Sequence, residues 1–197
     1  EVARLRILKA AHEGKRFALQ DAVTFQYPKR IQSLEKELQS LQMDLDRRNQ
    51  AMEVQPGFAI TLQGKVYEKH KEAGEVLRGI IEGVTAFTRH EVGMYKGFQV
   101  FVQKDMMEPV LFLQGEKEYS VELKSSDSGN MVRMENRLNA LDKAVEDVQK
   151  EIKTCENEIK NAKQEYAKPF PYEELLKENI TRQMEIDAEL EIKDQEE

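Results

Sequence analysis

Residues 134–166 read MENRLNALDKAVEDVQKEIKTCENEIKNAKQEY, and this stretch decides the fold of the chain. Apolar or small residues recur in it at alternating spacings of four and three, and most residues between them are charged or carry amides. This heptad spacing predicts one long helix with a single narrow apolar stripe, which needs a partner helix from this chain or another. The stripe comprises Met134, Leu138, Leu141, Val145, Val148, Ile152, Cys155, Ile159, Ala162 and Tyr166.

Two more helical patterns come first, in residues 1–26 and 31–49. The second is the more regular, because leucines and one isoleucine follow each other at heptad spacing. Between the two patterns, Tyr27-Pro28 predicts a break or kink, since proline lacks an N–H and disfavours helical geometry in the residue before it. The regular seam consists of Ile31, Leu34, Leu38, Leu41 and Leu45.

The hydrophobic period changes to two between residues 54 and 129. Alternation predicts strands, while the broad apolar face of residues 69–84 predicts one helix wide enough to lie on a sheet. Counting along the strands puts Phe101, Leu111 and Leu113 on one side and Phe98, Val100 and Phe112 on the other, so the sheet is expected to be apolar on both faces. The predicted strands are residues 58–62, 98–102, 110–113 and 119–123, with another around 90–95 before the Lys96-Gly97 turn.

After this region, Ser128 or Asn130 is expected to cap the long helix, and Pro169 and Pro171 end it. A last helix is predicted over residues 172–192. Because two helical regions flank the insert, we expect an α+β fold: a long antiparallel coiled-coil stalk with a small α/β head, a meander sheet plus one helix, between its helices. The predicted domains are residues 1–53 (stalk), 54–129 (head) and 130–197 (stalk).

Composition limits the classes of function. The chain has 197 residues, 34% of them charged, with a net charge of -7, one cysteine and no tryptophan. An acidic chain is a poor general coat for nucleic acid, and one cysteine excludes an intrachain disulfide. No apolar run is long enough to span a membrane, and no signal peptide is visible, so we expect a cytoplasmic protein. The helical pattern is already under way at Glu1, which suggests a piece of a longer protein.

The sequence shows no catalytic, cofactor-binding or metal-binding constellation. Gly64-Lys65 follows a predicted strand, but Gly57 is too far upstream for a phosphate loop and Val66 replaces the metal-ligating hydroxyl. The histidines, His12, His70 and His90, are dispersed and lack a further ligand at metal-binding spacing. Cys155 lies in the heptad stripe, where burial is the simpler interpretation.

Nucleic-acid contact rests on a local group of cations. Lys65, Lys69, Lys71 and Arg78 cluster at the start of the predicted head helix, with aromatic residues nearby in the sequence. Residues 57–127 nevertheless contain nine Lys or Arg against eleven Asp or Glu, a net charge of -2. Phosphate binding would therefore depend on this local patch alone, and a solvated surface is the alternative interpretation.

Several short signatures, taken in order, resemble the C-terminal region of very large helicase and DNA-methylase fusion proteins of bacterial conjugative elements and phages. The resemblance implies a cytoplasmic DNA-processing parent with a superfamily II, Swi/Snf-like ATP-binding motor and often an adenine methyltransferase. The motor and methylase motifs are absent here, so no functional residue carries over. The signatures are Tyr27-Pro28-Lys29-Arg30-Ile31, Glu72-Ala73-Gly74, Gly93-Met94-Tyr95-Lys96-Gly97-Phe98, Ser128-Gly129-Asn130, Met134-Glu135-Asn136-Arg137-Leu138 and Lys168-Pro169-Phe170-Pro171.

Three hypotheses follow. The first is a non-catalytic accessory domain, monomeric or weakly dimeric, that positions the motor of a helicase-like parent or contacts DNA or a protein partner. The second is a coiled-coil oligomerisation module in which the seam pairs between chains. The third is a DNA-binding module that uses Lys65, Lys69, Lys71 and Arg78.

Overall fold

The structure, a computed structural model, describes residues 1–104 and 108–196. It has helices and one antiparallel six-stranded sheet, so the predicted α+β class is confirmed. The chain divides into two compact units, a sheet unit (Leu34–Glu151) and a helical unit (Glu1–Ser33 and the residues from Ile152 onward). The inserted-head architecture and the three domain ranges stay predictions.

Helices account for most of the chain, and they lie in the regions that were predicted to be helical. Those of the central region, α3 and α4, both belong to the sheet unit. The helices are α1 (Val2–Asp21), a π-helix (Ala22–Gln26), α2 (Tyr27–Val54), α3 (His70–Gly83), α4 (Asp127–Asn139), α5 (Leu141–Tyr166) and α6 (Glu173–Glu196).

The sheet has the strand order β2-β1-β3-β4-β5-β6, with antiparallel pairing throughout. The predicted strand around residues 90–95 is confirmed as β3, whereas β2 was not predicted. The Lys96-Gly97 turn is also confirmed, with both residues at positive φ, as a two-residue hairpin requires. The strands are β1 (Ile60–Leu62), β2 (Lys65–Tyr67), β3 (Arg89–Tyr95), β4 (Phe98–Gln103), β5 (Val110–Gln114) and β6 (Glu118–Glu122).

One face of the sheet is covered by α3 and α4 and forms the core of the sheet unit. Helix α3 contacts β1 and β2, and α4 contacts β6. The two helices approach closely, since a Cβ added at Gly74 would lie 2.3 Å from the carbonyl oxygen of Asp127. The fully buried core side chains include Ile60, Leu62, Leu77, Phe98, Val100, Leu111, Leu113, Met131, Met134, Leu138 and Leu141.

The predicted assignment of side chains to the two faces is wrong for β4 and β5. In the observed register Phe101 lies opposite Phe112, and Val100 lies opposite Leu113. Leu111 and Leu113 therefore share the covered face with Phe98 and Val100. Parity between strands depends on the length and shape of the connecting loop, which alternation within each strand does not report.

The predicted single helix through residue 166 is divided at Ala140, where ψ is -7°. The buried Arg48 guanidinium donates to the carbonyl oxygen of Leu138 at 3.0 Å and to the Asp142 carboxylate at 2.7 Å. The Arg48 guanidinium thus donates to a carbonyl oxygen that would otherwise accept a hydrogen bond within the helix. A side chain inserted in this way is a recognised cause of a helix kink. The hydrogen bond from Arg48 also lowers the pKa of Asp142 below its ordinary value.

Of the break or kink predicted at Tyr27-Pro28, the break is wrong, because the helix continues through both residues. Residues 22–26 form a π-helix instead, and α2 continues from Tyr27, whose N–H donates to the carbonyl of Ala22. Because Pro28 has no N–H and would crowd the carbonyl four residues earlier, the wider π turn accommodates it without ending the helix.

The predicted cap of the long helix is also corrected. Neither Ser128 nor Asn130 caps α4, since Ser126 accepts the hydrogen bond from the Gly129 N–H at 3.2 Å. Asn130 is buried and exchanges two 2.8 Å hydrogen bonds with the backbone of Lys124. It fastens α4 to the end of the preceding strand.

In the helical unit, α1 lies against the end of α5 and the start of α6. The Lys9 amine bonds the Glu173 carboxylate at 2.9 Å, and Arg16 Nε donates to the carbonyl oxygen of Tyr166 at 3.1 Å. The Arg16 guanidinium also stacks over the Tyr166 ring, so one side chain both caps α5 and covers its last aromatic residue. Cys155 is buried and free, as its place in the stripe predicted.

A fully buried carboxylate joins α2 to the sheet. Asp44 accepts hydrogen bonds from the N–H of Glu116 at 2.7 Å, the N–H of Lys117 at 2.9 Å and the hydroxyl of Tyr119 at 2.7 Å. Burial, together with this hydrogen bond to the Asp44 carboxylate, raises the pKa of Tyr119. Three donors compensate the desolvation of one charge, so the β5–β6 turn is held on α2.

Replacing Asp44 with Ala is expected to lower the free energy of unfolding by about 3–5 kcal/mol, because three donors lose their common acceptor in a buried place. Chemical denaturation measures the loss. Asp46→Ala, at an exposed position two residues away on α2, is the matched control and should change stability little. Equal unfolding midpoints for the two variants would contradict this account of the buried carboxylate.

Gly93→Ala should destabilise the protein by about 3 kcal/mol through overpacking. A Cβ at this position would lie 1.8 Å from the carbonyl oxygen of Thr61, a backbone atom on the neighbouring strand. Gly79→Ala provides the control, since a Cβ there meets nothing within 4 Å. Because Gly79 is helical, its replacement should stabilise the protein by about 0.5–1 kcal/mol. Thermal unfolding that moves the same way in both variants would refute the distinction.

Candidate functional site

The candidate site is the face of the sheet opposite α3 and α4, here called the open face. At its centre Phe101 of β4 and Phe112 of β5 form a cross-strand pair, and both are half-buried. Val66 and Met94 lie on the same face toward β2 and are exposed. The open face thus displays an aromatic centre and apolar neighbours that α3 and α4 do not cover.

Arg89 lies across the aromatic pair. The carbon at the centre of its guanidinium is 4.1 Å from the ring centroid of Phe112 and 5.1 Å from that of Phe101. Its NH2 nitrogen donates to the Glu118 carboxylate at 2.6 Å, across the sheet on β6. A guanidinium is weakly hydrated and stacks well on aromatic rings, so this arrangement orders the charge over an apolar surface.

Carboxylates outnumber cations on the open face. The strand register puts Glu91, Glu118 and Glu122 on the same side as Phe101, where Arg89 is the cation that the register places among them. Glu118 is paired with that guanidinium, and Glu122 lies 3.4 Å from the Lys124 amine, so carboxylates exceed cations by one. The electrostatic potential of this face therefore disfavours a phosphate backbone and favours a partner with exposed apolar and basic groups.

The sheet unit also contains a compact cluster of titratable and aromatic groups. His70 Nε2 lies 2.6 Å from a carboxylate oxygen of Glu135, and the Phe58 ring stacks on the imidazole at a centroid distance of 4.0 Å. Burial and the nearby Glu135 carboxylate raise the pKa of Tyr95. These contacts tie the first residue of α3 to α4, so the imidazole–carboxylate pair has a structural role.

A groove of about 460 Å³ opens beside the C-terminal end of α2, and its cations are already engaged. The Lys96 amine donates to the carbonyl oxygens of Gln55 at 2.6 Å and Gly57 at 2.5 Å, and burial lowers its pKa. Arg47 pairs with Glu116 at 3.1 Å. Lys96 thus holds the connection from α2 to β1, and Arg47 holds the β5–β6 turn.

Of the four cations predicted to contact nucleic acid, Lys65 lies on β2, Lys69 precedes α3, and Lys71 and Arg78 lie on α3. The structure gives each of them a neighbour. Lys69 pairs with Glu72 at 2.8 Å, and Arg78 pairs with Asp127 at 3.4 Å. Lys71 lies 4.0 Å from Glu75, and the Lys65 amine lies 5.3 Å from the Tyr67 ring centroid. Lys71, Glu75, Arg78 and Glu82 follow one another along the same side of α3. This alternation of charge is typical of a solvated helix face.

The histidines occupy separate places. His12 packs near Phe170 in the helical unit, His70 bonds Glu135, and His90 lies 3.4 Å from the carbonyl oxygen of Thr85. Within residues 1–104 and 108–196, no group of three or more His, Cys, Asp or Glu side chains is arranged to hold a metal ion. Over the same residues, no helix combines the length and the apolar character needed to cross a bilayer.

Comparison of the chain with protein-family models, with curated proteins and with solved structures finds no match in any of the three. Sequence reasoning did not predict the pairing of Arg89 with Glu118. Alternation within β3 and β6 could have placed them on a polar face, but their meeting over Phe112 depends on three strand pairings.

Arg89→Lys is expected to lower the free energy of unfolding by about 1 kcal/mol, because an ammonium keeps the charge but loses the flat contact with two rings. Urea denaturation measures this effect. Arg78→Lys serves as control, since its exposed ion pair with Asp127 needs only a point charge. If both substitutions lower the free energy of unfolding by the same small amount, stacking of the Arg89 guanidinium on the rings does not contribute to stability.

Proposed function

We propose that this chain is a non-catalytic interaction domain of a larger cytoplasmic DNA helicase-like protein, and that its open face binds the remainder of that protein. The observation that carries the proposal is the aromatic pair Phe101–Phe112, displayed on a sheet face with an ordered Arg89 above it. Aromatic residues and arginine are enriched in the energetically important centres of protein interfaces.

Charge supports a protein partner over DNA at this face. Three carboxylates stand there against two cations, since Arg89 pairs with Glu118 and Lys124 pairs with Glu122. A phosphate backbone would meet net repulsion, whereas the apolar surface of a protein can bury the two rings and retain the Arg89–Glu118 pair at the rim. The parent named by the sequence resemblance is a helicase-like motor, so the motor is the proposed partner.

A non-catalytic role is supported by the buried polar groups, because they already make structural hydrogen bonds. Asp44, Arg48 and the His70–Glu135 pair all hold helices or turns in place. Lys96, whose lowered pKa would suit a nucleophile, instead bonds two backbone carbonyls. ATP hydrolysis by the isolated chain above background would contradict this part of the proposal.

Phe112→Trp supplies a direct probe of binding, because the sequence contains no tryptophan. Titration with the ATPase-motor part of the parent protein should shift the indole emission to shorter wavelength as the ring is buried. In the chain without the probe, the double change Phe101→Ser and Phe112→Ser should weaken binding at least about 10-fold, which is about 1.4 kcal/mol. Calorimetry measures that affinity.

The matched control is Val132→Ser, at an exposed position on α4, the helix that covers the opposite face. It should leave the affinity unchanged. Equal affinities for the double variant and the wild-type chain would remove the open face as the binding surface. Absence of any binding to the motor would remove the proposed partner.

DNA binding through the α3 patch is the competing proposal, and it is favoured by the high exposure of Lys69, Lys71 and Arg78. It requires salt-sensitive binding that is lost when these residues and Lys65 are changed to Glu. Fluorescence anisotropy with labelled single- and double-stranded DNA at low salt distinguishes the two proposals. Because three of the four cations have carboxylate neighbours within 4.0 Å, we expect little binding in this assay.

A further inference from the structure

A cavity of about 270 Å³ opens in the helical unit, lined by α1, the end of α5 and the connection from α5 to α6. Its apolar wall consists of Leu19, Pro169 and Pro171. A proline ring fixes φ, so the two prolines hold the backbone of this wall in one shape. The other lining side chains are all titratable: His12, Lys15, Arg16, Glu165 and Lys168.

The cavity carries an excess of positive charge in a chain whose net charge is -7. Three cations, Lys15, Arg16 and Lys168, line it against one carboxylate, Glu165, so its sum is +2 with His12 neutral. Glu165 bonds the Lys168 amine, which lowers the pKa of this carboxyl, and it lies 3.6 Å from the Lys15 amine. One carboxylate is thus shared by two amines, and it leaves the cavity attractive to anions.

Neighbouring charges do not cancel this excess. Lys9 and Glu173, the next charged pair along α1 and α6, lie 2.9 Å apart and sum to zero. Glu174 pairs with a lysine one turn later on α6. Glu13 precedes Arg16 by three residues on α1 but is exposed, and within the described residues it neither lines the cavity nor pairs with that guanidinium.

The Arg16 guanidinium is already ordered. Its Nε donates to the carbonyl oxygen of Tyr166 at 3.1 Å, and its central carbon lies 4.6 Å from the centroid of the Tyr166 ring. Its two terminal nitrogens, Nη1 and Nη2, have no hydrogen-bond acceptor among residues 1–104 and 108–196. Adjacent N–H groups of this kind match two oxygens of a phosphate, and an ordered side chain loses little entropy on binding.

We infer that this cavity binds a phosphate monoester on a small apolar carrier. The two charges of the phosphate match the excess of two cations, and Arg16 donates to two of its oxygens. The half-buried His12, whose ring lies 5.6 Å from that of Phe170, has an N–H donor in either tautomer. The carrier packs on Leu19 and the proline wall. The site belongs to the helical unit and is independent of the function proposed for the open face.

Isothermal titration calorimetry at pH 8 and low salt tests the inference with phenyl phosphate as the probe. The second pKa of a phosphate monoester is about 6, so the probe then carries two charges. Phenyl sulfate has nearly the same shape but one charge, and it should bind at least about 5-fold more weakly. Inorganic phosphate lacks the apolar carrier and should also bind more weakly. Equal affinities for phenyl phosphate and phenyl sulfate, or no binding of either, would overturn the inference.

Two substitutions should change the affinity for phenyl phosphate in opposite directions, which partial unfolding cannot produce. Glu165→Gln removes the carboxylate from the lining and should strengthen binding at least about 3-fold. Arg16→Gln removes the ordered guanidinium and should weaken binding at least about 10-fold. Lys15→Gln, at an exposed position, should also weaken binding and does not disturb the contact with Tyr166.

The matched control is Arg182→Gln, which removes an exposed cation of α6 outside the cavity. It should leave the affinity for phenyl phosphate unchanged. Weaker binding by the Glu165→Gln variant, or an equal loss in the Arg182→Gln and Arg16→Gln variants, would remove the cavity as the binding site.

The phosphate monoester can be a free small molecule or a phosphorylated side chain of a protein. A short peptide that contains phosphotyrosine carries the same phenyl phosphate group and separates these two sources. Tighter binding of the peptide than of phenyl phosphate, lost in the Arg16→Gln variant, would identify a protein source. Equal or weaker binding of the peptide would identify the free ester as the ligand.

Discussion

The hydrogen bonds accepted by the buried Asp44 carboxylate are the interaction on which the sheet unit depends. Two backbone N–H groups of the β5–β6 turn and the Tyr119 hydroxyl converge on it. The turn fits only because residue 115 is glycine, since a Cβ there would lie 2.1 Å from the Asp44 carboxylate oxygen. A charge without these donors would be costly to bury, so the register of the turn on α2 is strongly specified.

A second buried charge on α2, one helical turn later, orients the helices that follow the sheet. Arg48 bonds the carbonyl oxygen of Leu138 and the Asp142 carboxylate, and the chain bends between α4 and α5 at that point. Asp44 and Arg48 thus connect one side of α2 to the sheet and to the α4–α5 junction. Helices α3 and α4 cover one face of the sheet, which leaves Phe101 and Phe112 on the other.

The groups that could perform chemistry are the ones that hold the fold together, whereas the surfaces suited to binding are apolar. The open face combines two rings with an ordered guanidinium, and α1 displays the exposed apolar side chains of Ile7 and Phe17. The two surfaces belong to different units of the chain. The open face is the surface proposed to bind the parent protein.

Periodicity alone was enough to predict the α+β class, the apolar face of α3 and the Lys96-Gly97 turn, because these depend on neighbours a few residues apart. It missed Asp44 and Arg48, which stand among solvated helix residues in the sequence and acquire their burial from groups 72–94 residues away. It also mispaired Phe101 and Phe112, since strand parity is decided by loop geometry. Sequence by itself determined most helices and strands and their amphipathic pattern, but not β2, the π-helix or the division of the long helix at Ala140. Only the tertiary structure decided which charges are buried and which apolar face stays open, because both depend on contacts between distant segments.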